Sequence, residues 1–301
     1  MRLSVIPRPE AGLWFAAAGA VLFSAKAVVA KFIYREGADA LDLMALRMLL
    51  AAPVFVAVAL WLGARTEGGA PLQRRDWAWI AGLGVLGYYL SSLLDFYGLM
   101  YIPAALERLI LFMTPTLVLL LGTLLLKKPL SRAQLKLSLV AWIGLLLVYA
   151  ENLRLGGEGL WLGAALVLGA ALSYSLYLLY CGEWVQRLGS LRLVAWVMLV
   201  STALIQLHYL ALRDASDLLA LPPAVWGWSL LNAVFCTVLP VFLTMAAVAR
   251  IGAARTAQLS VVGPIALMIA GPLLLDEVPT ALQWIGTAVT LAALGWFWPR
   301  R

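Results

Sequence analysis

The stretch from Asp95 to Pro115, DFYGLMYIPAALERLILFMTP, decides the fold. It joins the end of one apolar run to the start of the next through Tyr101-Ile102-Pro103, and Pro115 then interrupts the second run. Asp95, Glu107 and Arg108 stand inside those runs. A chain embedded in lipid keeps ionised groups there only where they meet one another, water or a ligand.

The surroundings of the stretch are lipid-like throughout. Of 301 residues, 64% are hydrophobic and 12% charged, with a mean hydropathy of +0.94, whereas soluble domains carry about a quarter charged residues. Apolar windows of roughly 20 residues, the length that crosses a hydrocarbon core, recur along the chain. Ten spans are expected, near 11–34, 40–62, 77–100, 103–125, 133–150, 160–182, 191–213, 224–246, 253–275 and 280–299. The longest polar connection, GARTEGGAPLQRRD, leaves no room for a soluble domain. The runs lack the ten-residue alternation of barrel strands, so an all-α integral membrane protein is expected. Tryptophans such as Trp14, Trp61, Trp77, Trp161 and Trp184 fall near span ends, as an interfacial belt requires. The first run contains Lys26 and Lys31 and no small-residue cleavage site, so it is read as a helix and not a signal peptide.

Charge distribution sets the orientation. Fifteen lysines and arginines fall in loops of one side, against Lys31, Arg35, Arg154 and Arg213 on the other. The positive-inside rule then places both termini in the cytoplasm. The net charge of +7 is thereby a topology signal, and no nucleic-acid partner is expected. Cys181 and Cys236 are too few and too far apart for a metal or redox site. His208, the single histidine, excludes a histidine-rich metal centre and is expected at a membrane interface.

A shift of 149 residues aligns the chain with itself. It matches Ile102 with Ile251, Ala104 with Ala253, Pro115 with Pro264, Gly122 with Gly271 and Gln134 with Gln283, among ten identities in 39 positions. Two units, 1–152 and 153–301, would each hold five spans. An odd number inserts the second unit from the opposite side, giving two inverted five-helix repeats, an architecture of transporters.

With Tyr101-Ile102-Pro103-Ala104-Ala105 and Arg250-Ile251-Gly252-Ala253-Ala254 leading into Thr114-Pro115 and Gly263-Pro264, the chain resembles the EamA branch of the drug/metabolite transporter superfamily. Lys127-Lys128-Pro129-Leu130 and Asp276-Glu277-Val278-Pro279 fit the same pattern, although the first repeat carries lysines where the second keeps acidic residues. Within the branch it looks most like the bacterial YddG-type exporters. That resemblance implies export of aromatic and other neutral amino acids.

Pro115 and Pro264 are expected to break their helices, freeing the carbonyls of Leu111 and Ser260 for a polar ligand. Lys26, Arg47, Asp95, Glu107 and Arg108 lie inside spans, where each would cost about 2.5–3.5 kcal/mol alone, so they must face the interior. One arrangement pairs Arg47 with Asp95 and Glu107 with a neighbouring cation as struts. The other leaves one cation over for a substrate carboxylate, and Lys26, the deepest, is the expected one. Ser24, Tyr88, Ser91, Tyr97, Tyr174, Tyr177, Thr237, Gln258 and Ser260 are candidates for the same cavity, with Ser92, Ser173 and Asn232 beside them. Asp95 and Tyr97, two residues apart, lie on nearly opposite sides of one helix.

A secondary transporter of small metabolites is therefore expected, with no catalytic residue, metal or cofactor. Its partners would be a small-molecule substrate, foremost an amino acid, and the lipid bilayer, with the carrier working as a monomer. A membrane enzyme acting on lipid head groups would need clustered acidic or histidine residues at the cytoplasmic side, and the loops there are basic.

Overall fold

The structure is a computed structural model that describes residues 9–64, 72–127, 129–155, 158–259 and 262–296. In chain order its helices are α1 (Pro9–Arg35), α2 (Ala40–Ala64), α3 (Arg74–Gly84), α4 (Ser91–Leu99), α5 (Ala104–Leu111), α6 (Thr114–Leu126) and α7 (Arg132–Arg154). There follow α8 (Leu160–Leu188), α9 (Ser190–Leu212), α10 (Ala215–Ala220), α11 (Pro223–Ala233), α12 (Leu239–Leu259), α13 (Val262–Leu274) and α14 (Ala281–Trp296). Two π-helical turns, Val85–Leu90 and Val234–Val238, join α3 to α4 and α11 to α12. Among the described residues eight helical stretches are long and apolar enough to cross a membrane, and Val262–Leu274 and Ala281–Ala293 are shorter apolar helices.

The displacement of 149 residues reappears in the backbone. Arg74–Gly84 corresponds to Pro223–Ala233, the first π turn begins 149 residues before the second, and α7 begins 149 residues before α14. Lys127 and Asp276, also 149 apart, end their helices with φ of 52° and 60°. The matched glutamines have one physical cause. Gln134 Oε1 accepts from the Ser131 amide at 2.9 Å while Ser131 Oγ accepts from the Gln134 amide at 3.1 Å. Gln283 and Thr280 repeat this capping box at 2.8 and 3.3 Å, which satisfies amides that a helix start leaves free.

Packing interchanges the halves as well: α1 lies along α12 as α8 lies along α4, and α2 with α9 and α7 with α14 form the remaining large contacts. Thr290 Oγ1 donates to the carbonyl of Ala141, its own counterpart 149 residues away, at 3.2 Å. At that crossing a Cβ on Gly144 would stand 2.6 Å from the Gly286 carbonyl, so the α7–α14 approach depends on glycine.

Two expectations are corrected. The gap expected between spans 224–246 and 253–275 is absent, because α12 continues through residues 247–252 to Leu259. In the first half Pro103, which cannot donate a backbone hydrogen bond, forces the turn there; the second half has only Gly252, which a helix tolerates. The interfacial belt also loses a member, since Trp184 is buried, with its ring 5.3 Å from that of Trp79.

Candidate substrate site

Three helices bring the charges together. α1 carries Lys26, α4 carries Asp95 at its middle and α5 carries Glu107 in its first turn. The Lys26 ammonium is hydrogen-bonded to Asp95 Oδ2 and lies 3.5 Å from Glu107 Oε1, and all three side chains are buried. Its Nζ also sits 5.1 Å from the centre of the Phe96 ring. Lys26 is therefore not the spare cation, and the expected Arg47–Asp95 strut is not formed. Arg47 instead donates to Ser92 Oγ at 3.1 Å and covers the other cation position on Phe96, 4.8 Å from its centre.

The pairing is incomplete on both signs. Asp95 Oδ1, both carboxylate oxygens of Glu107, and the Nε atoms of Arg47 and Arg108 are buried without a hydrogen bond. Consecutive residues of a helix do not face each other, so Arg108 leaves α5 away from Glu107. It reaches toward α13, with Nη2 3.2 Å from the position a Cβ on Gly263 would take. Three cations against two carboxylates leave one positive charge in the group, and all five charges come from the first half of the chain.

Aromatic residues stand beside this cluster. Tyr174 stacks on Tyr177 at 5.4 Å, and both meet the edge of Tyr88, at 6.4 and 5.5 Å. A Cβ at Gly87 would collide with the Tyr177 ring at 2.6 Å, so that glycine admits the tyrosine. Gly82, by contrast, faces open space. Ser24 donates to its own helix at Ala20 O, 2.9 Å away, and touches Gly263. Ser91 is buried in α4, while Tyr97, two residues beyond Asp95, packs only half-buried into the hydrophobic core.

Other expected members are placed differently. The carbonyl of Leu111 is not free for a ligand, because Thr114 Oγ1 donates to it at 2.6 Å. Pro115 does not kink a continuous helix; α5 ends at Leu111 and Pro115 sits in the first turn of α6, exposed on its surface. Pro264 is buried in the first turn of α13. Thr237 is buried in the second π turn and donates to Asn232 O at 3.1 Å, the carbonyl that the wider turn leaves over. The Asn232 amide itself is buried and unpartnered. The Gln258 side chain and Ser260 lie outside the described residues. His208 is half-buried against α4's neighbour turn, with Nδ1 3.0 Å from the Tyr89 hydroxyl, so it joins two helices and is not an interfacial residue alone.

One end of the bundle is closed by polar ties that the sequence did not single out. Arg213 after α9 is paired with Asp39 and, at 2.6 Å, with Asp42 at the start of α2. Tyr209 donates to Asp42 at 3.3 Å. Alongside, Lys31 donates to Ile102 O at 2.7 Å and Arg35 to Leu275 O at 2.9 Å. Glu277 Oε2 accepts from the Ala104 amide at 2.9 Å, at the N-terminus of the helix that bears Glu107 and Arg108. These ties are long-range in sequence, so only opposite charges in separate loops hinted at them.

Burial pushes the Glu277 carboxyl up from its ordinary 4.5, against Lys31 and the amides of Ala104 and Ala105, which favour its anion. A carboxyl raised on folding gives stability that is complete below the unfolded value and fades as pH rises through the folded one. The melting temperature should therefore fall as pH climbs above about 4.5, and Glu277→Gln should flatten that decline. An unchanged pH profile in the variant would remove Glu277 from the account.

With the site described, comparison with known proteins gives the family. The model of the EamA-like transporter family matches the chain twice, over residues 10–150 and 161–297. The chain belongs to the EamA-like transporter family. An uncharacterized transporter, YcbK of Bacillus subtilis (strain 168), is 32% identical over 289 residues, covering 94% of this chain and 91% of that protein. A protein of known crystal structure, 16% identical, has a TM-score of 0.65 over 94% of this chain and 95% of its own, a likeness of fold. This EamA-family chain is thus a multi-pass membrane transporter, and family and relative both point away from an enzyme.

Proposed function

We propose that the chain exports amino acids with apolar or aromatic side chains, by alternating access between two oppositely inserted five-span halves, 1–152 and 153–301. Both termini lie in the cytoplasm, and the membrane is a bacterial inner membrane. One observation carries the reading: unpartnered buried donors on Arg47 and Arg108 lie within the same group as unpartnered buried acceptors on Asp95 and Glu107. Leaving such atoms unpaired costs about 1–3 kcal/mol each, more when charged, and a zwitterion satisfies both signs at once. The tyrosine faces of Tyr88, Tyr174 and Tyr177 suit its apolar side chain.

The repeated element bounds support two halves that exchange shape. The Arg213 ties would then be the closed gate of one state, on the side that the positive-inside rule makes external. The sequence has no ATP-binding motif, so motion draws on substrate or ion gradients. Other carboxylate-bearing metabolites are the second reading, favoured by the excess positive charge of the cluster. Purified protein in liposomes loaded with unlabelled phenylalanine should accumulate labelled phenylalanine by saturable counterflow. No counterflow with any amino acid, alongside counterflow of other organic acids, would overturn the first reading in favour of the second.

A further inference from the structure

We propose that Arg108 is the carboxylate anchor of the substrate site, held close to Gly263 where the two halves of the chain meet. The inference deepens the amino-acid reading and rests on it.

The other two cations are committed. Lys26 is bound to Asp95 and close to Glu107. Arg47 is bound to Ser92, lies over Phe96 and is almost wholly enclosed. Arg108 makes no hydrogen bond, ion pair or ring contact among the described residues, and its Nε is sealed from solvent. An arginine within a span costs several kcal/mol unless something meets it, and packing alone would have favoured an apolar residue. Arg108 is half-buried, no described side chain meets its guanidinium, and a carboxylate entering the site would.

The surroundings fix what that partner is. The position of a Cβ on Gly263 is shared by Arg108 Nη2 at 3.2 Å, the Ala20 carbonyl at 3.2 Å and Ser24 Oγ, still closer. Three elements, α1, α5 and α13, thus converge at a glycine, whose missing side chain lets the guanidinium approach the backbone of α13. A planar guanidinium binds a carboxylate through two parallel hydrogen bonds. Glu107, the preceding residue, leaves α5 about 100° away around the helix axis, with neither oxygen hydrogen-bonded and only Oε1 near a cation, 3.5 Å from Lys26. Adjacent cationic and anionic groups diverging from one backbone match the carboxylate and ammonium that diverge from one α-carbon. Tyr174, stacked on Tyr177 and set against Tyr88, offers a ring face to an apolar side chain. The ligand class is the α-amino acid, and an amine without the carboxylate should not be held.

The test uses full-length protein in liposomes, with labelled phenylalanine as probe and unlabelled phenylalanine or phenethylamine as competitor. In the parent protein phenylalanine should compete and phenethylamine should not. Arg108→Gln should raise the half-saturating phenylalanine concentration about 10- to 100-fold, and Arg108→Lys should lie between. Gly263→Ala, whose Cβ would displace Ser24 Oγ and crowd Arg108 Nη2 without removing the charge, should also weaken phenylalanine. The melting temperature of Arg108→Gln should hold or rise, since a half-buried charge with no hydrogen-bond partner among the described residues is removed. Unchanged half-saturation in Arg108→Gln, equal competition by phenethylamine, or a lowered melting temperature with unaltered discrimination would each overturn the assignment. Absence of phenylalanine counterflow in the parent protein would instead strike the amino-acid reading itself, from which this one follows.

Discussion

Lys26→Met abolishes transport and destabilises the fold by about 3–5 kcal/mol, the cost of leaving buried ionised partners without their counter-charge. Lys26 is the hydrogen-bond partner of Asp95 and the nearest cation to Glu107. Methionine fills the same volume and supplies no charge, so the two carboxylates must take up protons or draw in water. Either response changes the site that a zwitterion would enter. The double variant Lys26→Met, Asp95→Leu removes both members of the pair and should recover most of the stability, since apolar replacement of a buried ion pair is often neutral or better. It should not recover counterflow. Melting temperature and counterflow measured on the same preparations separate the two effects, and full activity in either variant would exclude Lys26 from the transport site.

Gly98→Leu should prevent recovery of folded protein. A Cβ at position 98 would stand 2.6 Å from Val167 Cγ2 and 2.8 Å from the carbonyl oxygen of Gly163. The second is backbone, so relief means separating α4 from α8 along one of the principal contacts of the bundle. Gly163 is equally constrained from the other side, 2.9 Å from the Gly98 carbonyl. Overpacking of this kind costs about 1–3 kcal/mol when side chains can adjust and more when they cannot. The same displacement would pull Asp95, one turn earlier on α4, away from Lys26. Gly82→Ala, on α3 with nothing within 4 Å, is the control and should be neutral or slightly stabilising. Yield of monodisperse protein and its melting temperature read both variants. A well-folded Gly98→Leu would mean that α4 and α8 do not approach as described.

Periodicity and residue type carried much of this account. Apolar runs of spanning length made an all-helical membrane protein legible, because lipid leaves the backbone few alternatives. The match of Gln134 with Gln283 pointed to a repeat, and its cause, a capping box at each helix start, is local enough to be read from a few residues. The need for Lys26, Asp95 and Glu107 to face inward followed from the cost of charge in hydrocarbon. Which cation met which carboxylate did not follow. Lys26 and Asp95 are 69 residues apart, and no spacing rule ties groups on separate helices. Leu111 misled for a related reason: Pro115 does free its carbonyl, but the neighbouring Thr114 takes it up. The π turns left no usable signal, since a single wide turn differs from its neighbours in hydrogen-bond register and not in composition.

By itself, then, the sequence determined that this chain spans the membrane as helices, that a 149-residue displacement matches part of it to itself, and that a handful of charges must be hidden together. Those properties are written in local hydropathy, in capping residues and in counts of ionised groups. Tertiary structure alone decided that Lys26 is satisfied while Arg108 is not, and that α12 runs on past the expected gap. It also decided that Arg213, Asp42 and Glu277 tie one end of the bundle. Each of these depends on distances between helices remote in the chain, where a shift of one turn exchanges one partner for another.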